Sequence, residues 1–262
     1  MQAFFVLVPN DGPMFNPSRR NRNIGTAKQG HGQQNKLKIP QRTYGLSPIE
    51  SLSQYQRQDV EINGYKFIFV VEKTREGSLH ACSIDDIKQV IEHIPIIDYG
   101  SLRLIVLRQP KRKEEILSPV WGRLIYSFEF ENEYYPAIIL EAGEYPRKMK
   151  WETSLSIESQ KELDRLKEDG HNFINKGKYL IADIEPENVR NTQLYRTLLH
   201  EFGHYVHYMT IVERPGKEDE DIKFWEERFE YYNNIPRIEK ENFAHRYASD
   251  LRLRLKEKGI IP

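Results

Sequence analysis

Apolar residues gather in short, strand-like runs over the first two thirds of the chain and recur at helical spacing over the last third. YKFIFVV, from Tyr65 to Val71, is β-branched and aromatic and predicts a strand. SIDDIKQVIEHIP predicts a helix, with Ser83 as N-cap, Asp86 three residues on, and Pro95 closing it. LRLIVL, from Leu102 to Leu107, predicts a buried strand. GRLIYSFEFENEYYPAIILEAG predicts two strands about a turn at Glu131 to Glu133. In the first of them Leu124, Tyr126, Phe128 and Phe130 alternate with Arg123, Ser127 and Glu129, which implies one covered face.

Beyond Trp151 the spacing becomes helical. Ser156 caps a helix that ends at Gly170, with Leu163 and Leu166 on its apolar side. A short strand, Lys178 to Asp183, precedes a helix capped near Asn191, in which Leu194, Leu198 and Leu199 supply a buried side. DEDIKFWEERFEYY and IEKENFAHRYASDLRLRLKEKG predict two further helices, separated by NNIP and stopped at Gly259. The aromatics of the first, Phe224, Trp225, Phe229, Tyr231 and Tyr232, read as core packing, with a cleft wall as the alternative. Strands followed by helices predict an α+β fold. The expected organisation is a flexible, basic, Gly/Asn/Gln-rich segment over 1–47 and one domain over 48–262, sheet-rich to 190 and helical from 191. Within the segment, Ala3 to Val8 reads as a strand or a docked arm.

A chain of 262 residues can build a sizeable core without disulfide or metal staples. Its 39 basic and 39 acidic residues cancel, so no global field attracts nucleic acid or an anionic membrane. Locally, Arg19, Arg20, Arg22, Lys28, Lys36, Lys38 and Arg42 face only Asp11, which predicts a solvated linker or a weak contact of residues 19–42 with nucleic acid or an acidic partner. The single cysteine, Cys82, forms no internal disulfide and excludes a paired-thiolate zinc site; a reducing, cytoplasmic location is expected. No apolar run approaches the roughly 18 residues that span a bilayer, and the apolar start is too short for a signal-peptide core. His80, His93 and His171 show no partner spacing and are expected at the surface.

The chemistry concentrates in TLLHEFGHYVHY, Thr197 to Tyr208. His200, Glu201, Phe202, Gly203 and His204 spell H-E-x-x-H. On a helix, residues four apart lie about 6 Å apart along the axis on one face, so both imidazoles can share one metal ion. Glu201 lies about 100° round from His200, where it can approach a water without displacing a ligand. Gly203 costs about 1 kcal/mol relative to Ala inside a helix, which predicts a close neighbour there. His207 reads as a flanking residue, because a third ligand would crowd one helix. A catalytic zinc needs another protein ligand and an open position. Glu241, Ala244, His245 and Ala248 form E-x-x-A-H-x-x-A on the last helix, offering Glu241 or His245 beside small residues that permit close helix approach.

These two motifs resemble those of the gluzincins, zincin-type metallopeptidases in which an HExxH pair and a glutamate on a later helix hold zinc. The resemblance covers element order over about 65 to 250 and, residue by residue, only the two motifs. It implies a twisted mixed sheet with a helix, lying over the HExxH helix, and a helical C-terminal part. It further implies one Zn²⁺ per chain on His200, His204 and Glu241, with His245 as the alternative third ligand, and Glu201 as general base in hydrolysis of a protein or peptide. An oxyanion donor is also implied, and Tyr247, His245, His207 and Tyr208 are open to that role. The Trp121 to Glu141 hairpin is the expected edge for an added peptide strand. His245 stands where the family usually has Asp or Asn. The alternative function is a catalytically silent or self-restrained zincin-fold protein acting as a regulatory or interaction module.

Overall fold

Leu104–Arg108 is buried at every position because it is the middle strand of a five-stranded mixed sheet. The computed structural model describes residues 6–7, 51–117, 120–217 and 219–261. The sheet comprises β2 (Tyr55–Ile62), β3 (Tyr65–Glu72), β5 (Leu104–Arg108), β6 (Gly122–Phe130) and β7 (Glu133–Glu141), in the order β2-β3-β5-β7-β6. The inner strands β3, β5 and β7 run parallel, and β2 and β6 are antiparallel to their neighbours. Two hairpins build the flanks. Asn63 and Gly64 join β2 to β3, and Glu131 and Asn132 join β6 to β7, all four at positive φ as such tight turns require.

One face of this sheet packs Phe67, Phe69, Ile105, Leu107, Ile138 and Leu140 against α1 (Ile84–Ile91) and against the helices that carry the histidines and Glu241. Ser83 caps α1 with the full reciprocal pattern, its hydroxyl accepting from Asp86 N while Asp86 accepts from Ser83 N. The other face gathers Val70, Leu104, Val106, Phe128, Ala137 and Ile139. A second sheet is fully antiparallel: β1 (Val6–Leu7), β9 (Arg147–Glu152), β11 (Tyr179–Ile184) and β10 (Phe173–Asn175), ordered β1-β9-β11-β10. It packs on α3 (Ile157–Glu168) and α4 (Pro186–Thr192) through Met149, Trp151, Leu163, Leu166, Ala182, Ile184 and Val189. A two-stranded ribbon pairs β4 (Ser78–Leu79) with β8 (Gly143–Glu144), and α2 (Arg112–Leu117) follows β5.

The α+β class expected from the pattern is observed, with two main sheets where one was expected. Every strand precedes Pro186, and the described residues beyond it are helical or in turns. β2 escaped the pattern reading because it is a polar edge strand, exposed at most positions, although the Asn-Gly pair after it is a hairpin signal. The expected alternation of β6 breaks at Tyr126 and Ser127, where the register shifts opposite Pro136, which has no N–H to offer the ladder. Of the basic segment expected over 1–47, Val6 and Leu7 pair with Lys150 and Met149, and the rest lies outside the described residues. No helix among the described residues is long and apolar enough to cross a membrane.

His171, expected at the surface, is instead 2 % exposed. Thr192 Oγ1 gives its proton to Asp169 Oδ2 at 2.9 Å, so His171 Nε2, 3.0 Å from Thr192 Oγ1, must be the donor there. Its Nδ1 is buried without a hydrogen-bond partner. Protonating that nitrogen would bury an unpaired N–H, and burial accordingly lowers the His171 pKa to about 4, with Asp169 pulling the other way. A depressed folded-state value means stability that is complete above the ordinary histidine pKa and is lost as pH falls toward about 4. The expected loss is on the order of 3 kcal/mol between pH 6.5 and 4. Urea unfolding of metal-free protein across this range should show it, and His171→Gln, which can still donate to Thr192, should flatten the slope.

Candidate metal centre

The HExxH motif lies in α5 (Leu198–Tyr208), the middle of one helical path that runs from Pro186 to Glu213 with π-helical turns at Gln193–Thr197 and Met209–Glu213. The path starts earlier than the cap expected near Asn191. Pro186 at its first position supplies the helical φ, and Asn191, inside α4, donates to Asp169 O instead. Gln193 is buried and gives both protons of Nε2 to main-chain oxygens, Trp121 O at 2.9 Å and Glu141 O at 2.8 Å. Cys82 Sγ lies 3.5 Å from Gln193 Oε1, and burial pushes this thiol far above its usual range, so it is inert packing. These bonds register the helix against the start of β6 and the end of β7. Leu194, Leu198 and Leu199 then enter the core as expected.

One turn on, His200 Nε2 and His204 Nε2 lie 3.0 Å apart. Glu241 Oε2, from α7 (Arg237–Glu257), lies 3.4 Å from the first and 3.7 Å from the second. A tetrahedral zinc with bonds of roughly 2.0–2.1 Å separates its ligand atoms by roughly 3.3–3.4 Å, so the donor set fits that ion. Three lone-pair atoms converging on one point repel one another unless a cation sits among them. The two imidazoles hold the Glu241 carboxyl well below the usual carboxylate range. Arg237 Nε approaches the other oxygen, Glu241 Oε1, at 3.4 Å, four residues back on the same helix. All three side chains keep some solvent exposure, 16–25 %, which leaves access for a water and a substrate.

His245 packs beside this trio, its ring 4.4 Å from that of His200, and a nitrogen of it lies within 4.8 Å of donor atoms of His200 and Glu241. Glu241 Oε2 is the closer and better aligned third donor. Burial pushes the His245 pKa down to about 3, which keeps it neutral. Glu201 points to the sheet: its Oε2 accepts from Leu124 N at 2.8 Å. Leu124 pairs with Ile138 of β7, so an N–H bonded to Glu201 faces away from β7, at the free edge of β6. The sequence showed Glu201 but not this backbone partner, which belongs to a strand 77 residues away.

Gly203 is explained by α7. A Cβ there would stand 2.8 Å from Ala244 Cα and 2.9 Å from Ala244 O, both backbone atoms. The helices cross at the two small residues, and that closeness lets Glu241 reach the histidines.

Three other readings change. Tyr247 is turned away from the donor cluster: its hydroxyl donates to Asp98 Oδ2 at 2.9 Å, and Asp98 Oδ1 is paired with Arg214 Nη2 at 2.7 Å. His207 is buried against Phe243, ring on ring at 4.3 Å, and Tyr208 donates to Glu213 Oε1 at 2.5 Å. In α6 (Ile222–Asn234) only Tyr232 is core, while Phe224, Phe229 and Tyr231 are exposed, because the helix touches the body along one narrow line. Tyr232 OH meets Tyr126 OH of β6 at 2.7 Å, a pairing with no sequence signal beyond the aromatic run itself.

Gly203→Ala should push α5 and α7 apart, lowering stability by about 1–3 kcal/mol less the roughly 1 kcal/mol of helix propensity gained. Thermal unfolding and zinc titration together should show the stability loss and a weaker affinity. Tyr247→Phe should cost about 1–2 kcal/mol through the bond to Asp98, with zinc affinity unchanged, which calorimetry would separate. Searches of protein-family models, curated proteins and solved structures return no match to this chain, so its functional reading rests on the geometry itself.

Proposed function

We propose that the chain is a zinc metallopeptidase of the gluzincin kind, hydrolysing peptide bonds of a protein or peptide. The observation that carries this reading is the convergence of His200 Nε2, His204 Nε2 and Glu241 Oε2 from two helices. A zincin-like fold is supported by the mixed sheet whose antiparallel edge strand β6 lies beside the HExxH helix. His200, His204 and Glu241 would hold the ion. Bound there, zinc supplies Lewis acidity, which makes a water ionisable near neutral pH and polarises a carbonyl.

The chain's own groups do the rest. Leu124 N–H fixes Glu201 by Oε2, leaving Oε1 to take the proton of the attacking water. Glu201 then delivers that proton to the leaving amine. The outward-facing main chain of β6 offers hydrogen bonds to an extended peptide laid along it. Tyr247, held by Asp98, is assigned no role on the reacting atoms. A thiol that is buried and unpaired suits a cytoplasmic setting.

A second reading, a catalytically silent zincin-fold module, is favoured by one observation: the neutral His245 close enough to compete as a further ligand. Cobalt substitution separates the two, since an open site keeps an exchangeable water and a closed four-ligand site does not.

Metal analysis of protein purified without chelator should find one zinc per chain; its absence would overturn the proposal. Glu201→Gln should keep the zinc and cut turnover by about 10²–10⁴-fold. Glu241→Gln should weaken zinc binding by more than the roughly 10–100-fold typical of losing an outer hydrogen bond. Equilibrium zinc titration and a peptide-cleavage assay read both outcomes.

A further inference from the structure

The tyrosines at the end of β6 bear on what can lie along that strand. Among the described residues β6 pairs only with β7, so its other edge is free, and the bond from Leu124 N places Glu201 on that edge. Two residues further on, the register shift opposite Pro136 turns Tyr126 out of the strand's alternation. Its ring lies 5.1 Å from Tyr208, at the end of α5, and its hydroxyl meets that of Tyr232 at 2.7 Å. Tyr208 and Tyr232 pack edge to face at 5.4 Å. Tyr232 is further fixed by Lys240 Nζ over its ring at 4.4 Å and by His207 at 5.5 Å. Strand β6 and helix α6 are thus joined across the line that an added strand would follow past Leu124.

We propose that Tyr126 and Tyr232 form the end wall of the substrate groove and limit how much peptide can extend past the scissile bond on that flank. The inference rests on the peptidase reading above. Leu124 and Tyr126 are separated by two strand residues, about 7 Å, which leaves room for about two substrate residues. A peptide that ends within that distance is accommodated. One that continues must displace Tyr232 and with it α6, whose attachment besides Tyr232 rests on Trp225 Nε1 to Glu213 Oε1 at 3.2 Å and Arg228 Nε to Val212 O at 2.7 Å. The wall therefore selects chain ends over chain interiors.

The test uses the zinc-loaded full-length chain, a library of synthetic mixed-sequence peptides of graded length, and mass spectrometry to map the cuts. Wild-type cuts should cluster about two residues from one terminus. Tyr232→Ala should spread them into the interior of long peptides without changing zinc content. Tyr126→Phe keeps the ring and removes the hydroxyl contact, so it should give an intermediate distribution, and it serves if Tyr232→Ala fails to fold. Cuts spread through long peptides by the wild type, or a distribution unmoved by either variant, overturn the wall alone. Silence of the zinc-loaded wild type toward every peptide overturns the peptidase reading and the wall with it.

Discussion

The close approach of α5 and α7 at Gly203 and Ala244 is the constraint on which the centre depends. A glutamate side chain reaches the two histidines only if the helix that carries it lies almost backbone to backbone against theirs, and any side chain larger than hydrogen at Gly203 would meet Ala244 main-chain atoms. The helix-propensity cost of that glycine, about 1 kcal/mol, is small beside the packing it permits. Other contacts hold the crossing in place. Tyr247 from α7 and Arg214 from the end of the histidine helix meet on the two oxygens of Asp98, which is buried in the turn after α1. Arg252, farther along α7, reaches Asp169 beside the bidentate Arg196.

That second carboxylate anchors the other end of the arrangement. Asp169 is buried and satisfied by Arg196, Arg252 and Thr192, so α3, the start of the histidine helix and α7 share one charge. Buried pairs of this kind add little net stability relative to apolar packing, but breaking one partner strands the other charge. They favour one relative placement of the helices, which a donor cluster with spacings of 3.0–3.7 Å needs.

The sheet contributes position more than packing. β6 offers a main-chain N–H to Glu201, and Gln193 ties the histidine helix to the ends of β6 and β7 through backbone oxygens. Base and strand edge are thereby set against each other by bonds that do not depend on the identity of the strand's side chains. The irregularity opposite Pro136 then aims Tyr126 at the helical half of the molecule.

The sequence by itself determined what local periodicity and composition can carry. The cap at Ser83, the buried run at Leu104, the hairpin into Glu133, the imidazoles of His200 and His204 on one helix face, and the need for a small residue at Gly203 were all readable from spacing. Glu241 and His245 could be nominated together but not ranked, because both lie on a helix whose rotation about its axis is set by Ala244 against Gly203. His171 and Tyr247 were misplaced for a related reason. Each is held by a carboxylate, Asp169 reached through Thr192 or Asp98 reached directly, that only the folded chain brings near. The exposed aromatics of α6 were misread as core because composition records that a side chain is apolar, not whether a second element arrives to cover it. Local spacing thus supplied the donors, and the tertiary structure decided which of them meet, since convergence depends on helix crossing and strand register, and neither is encoded within a few residues.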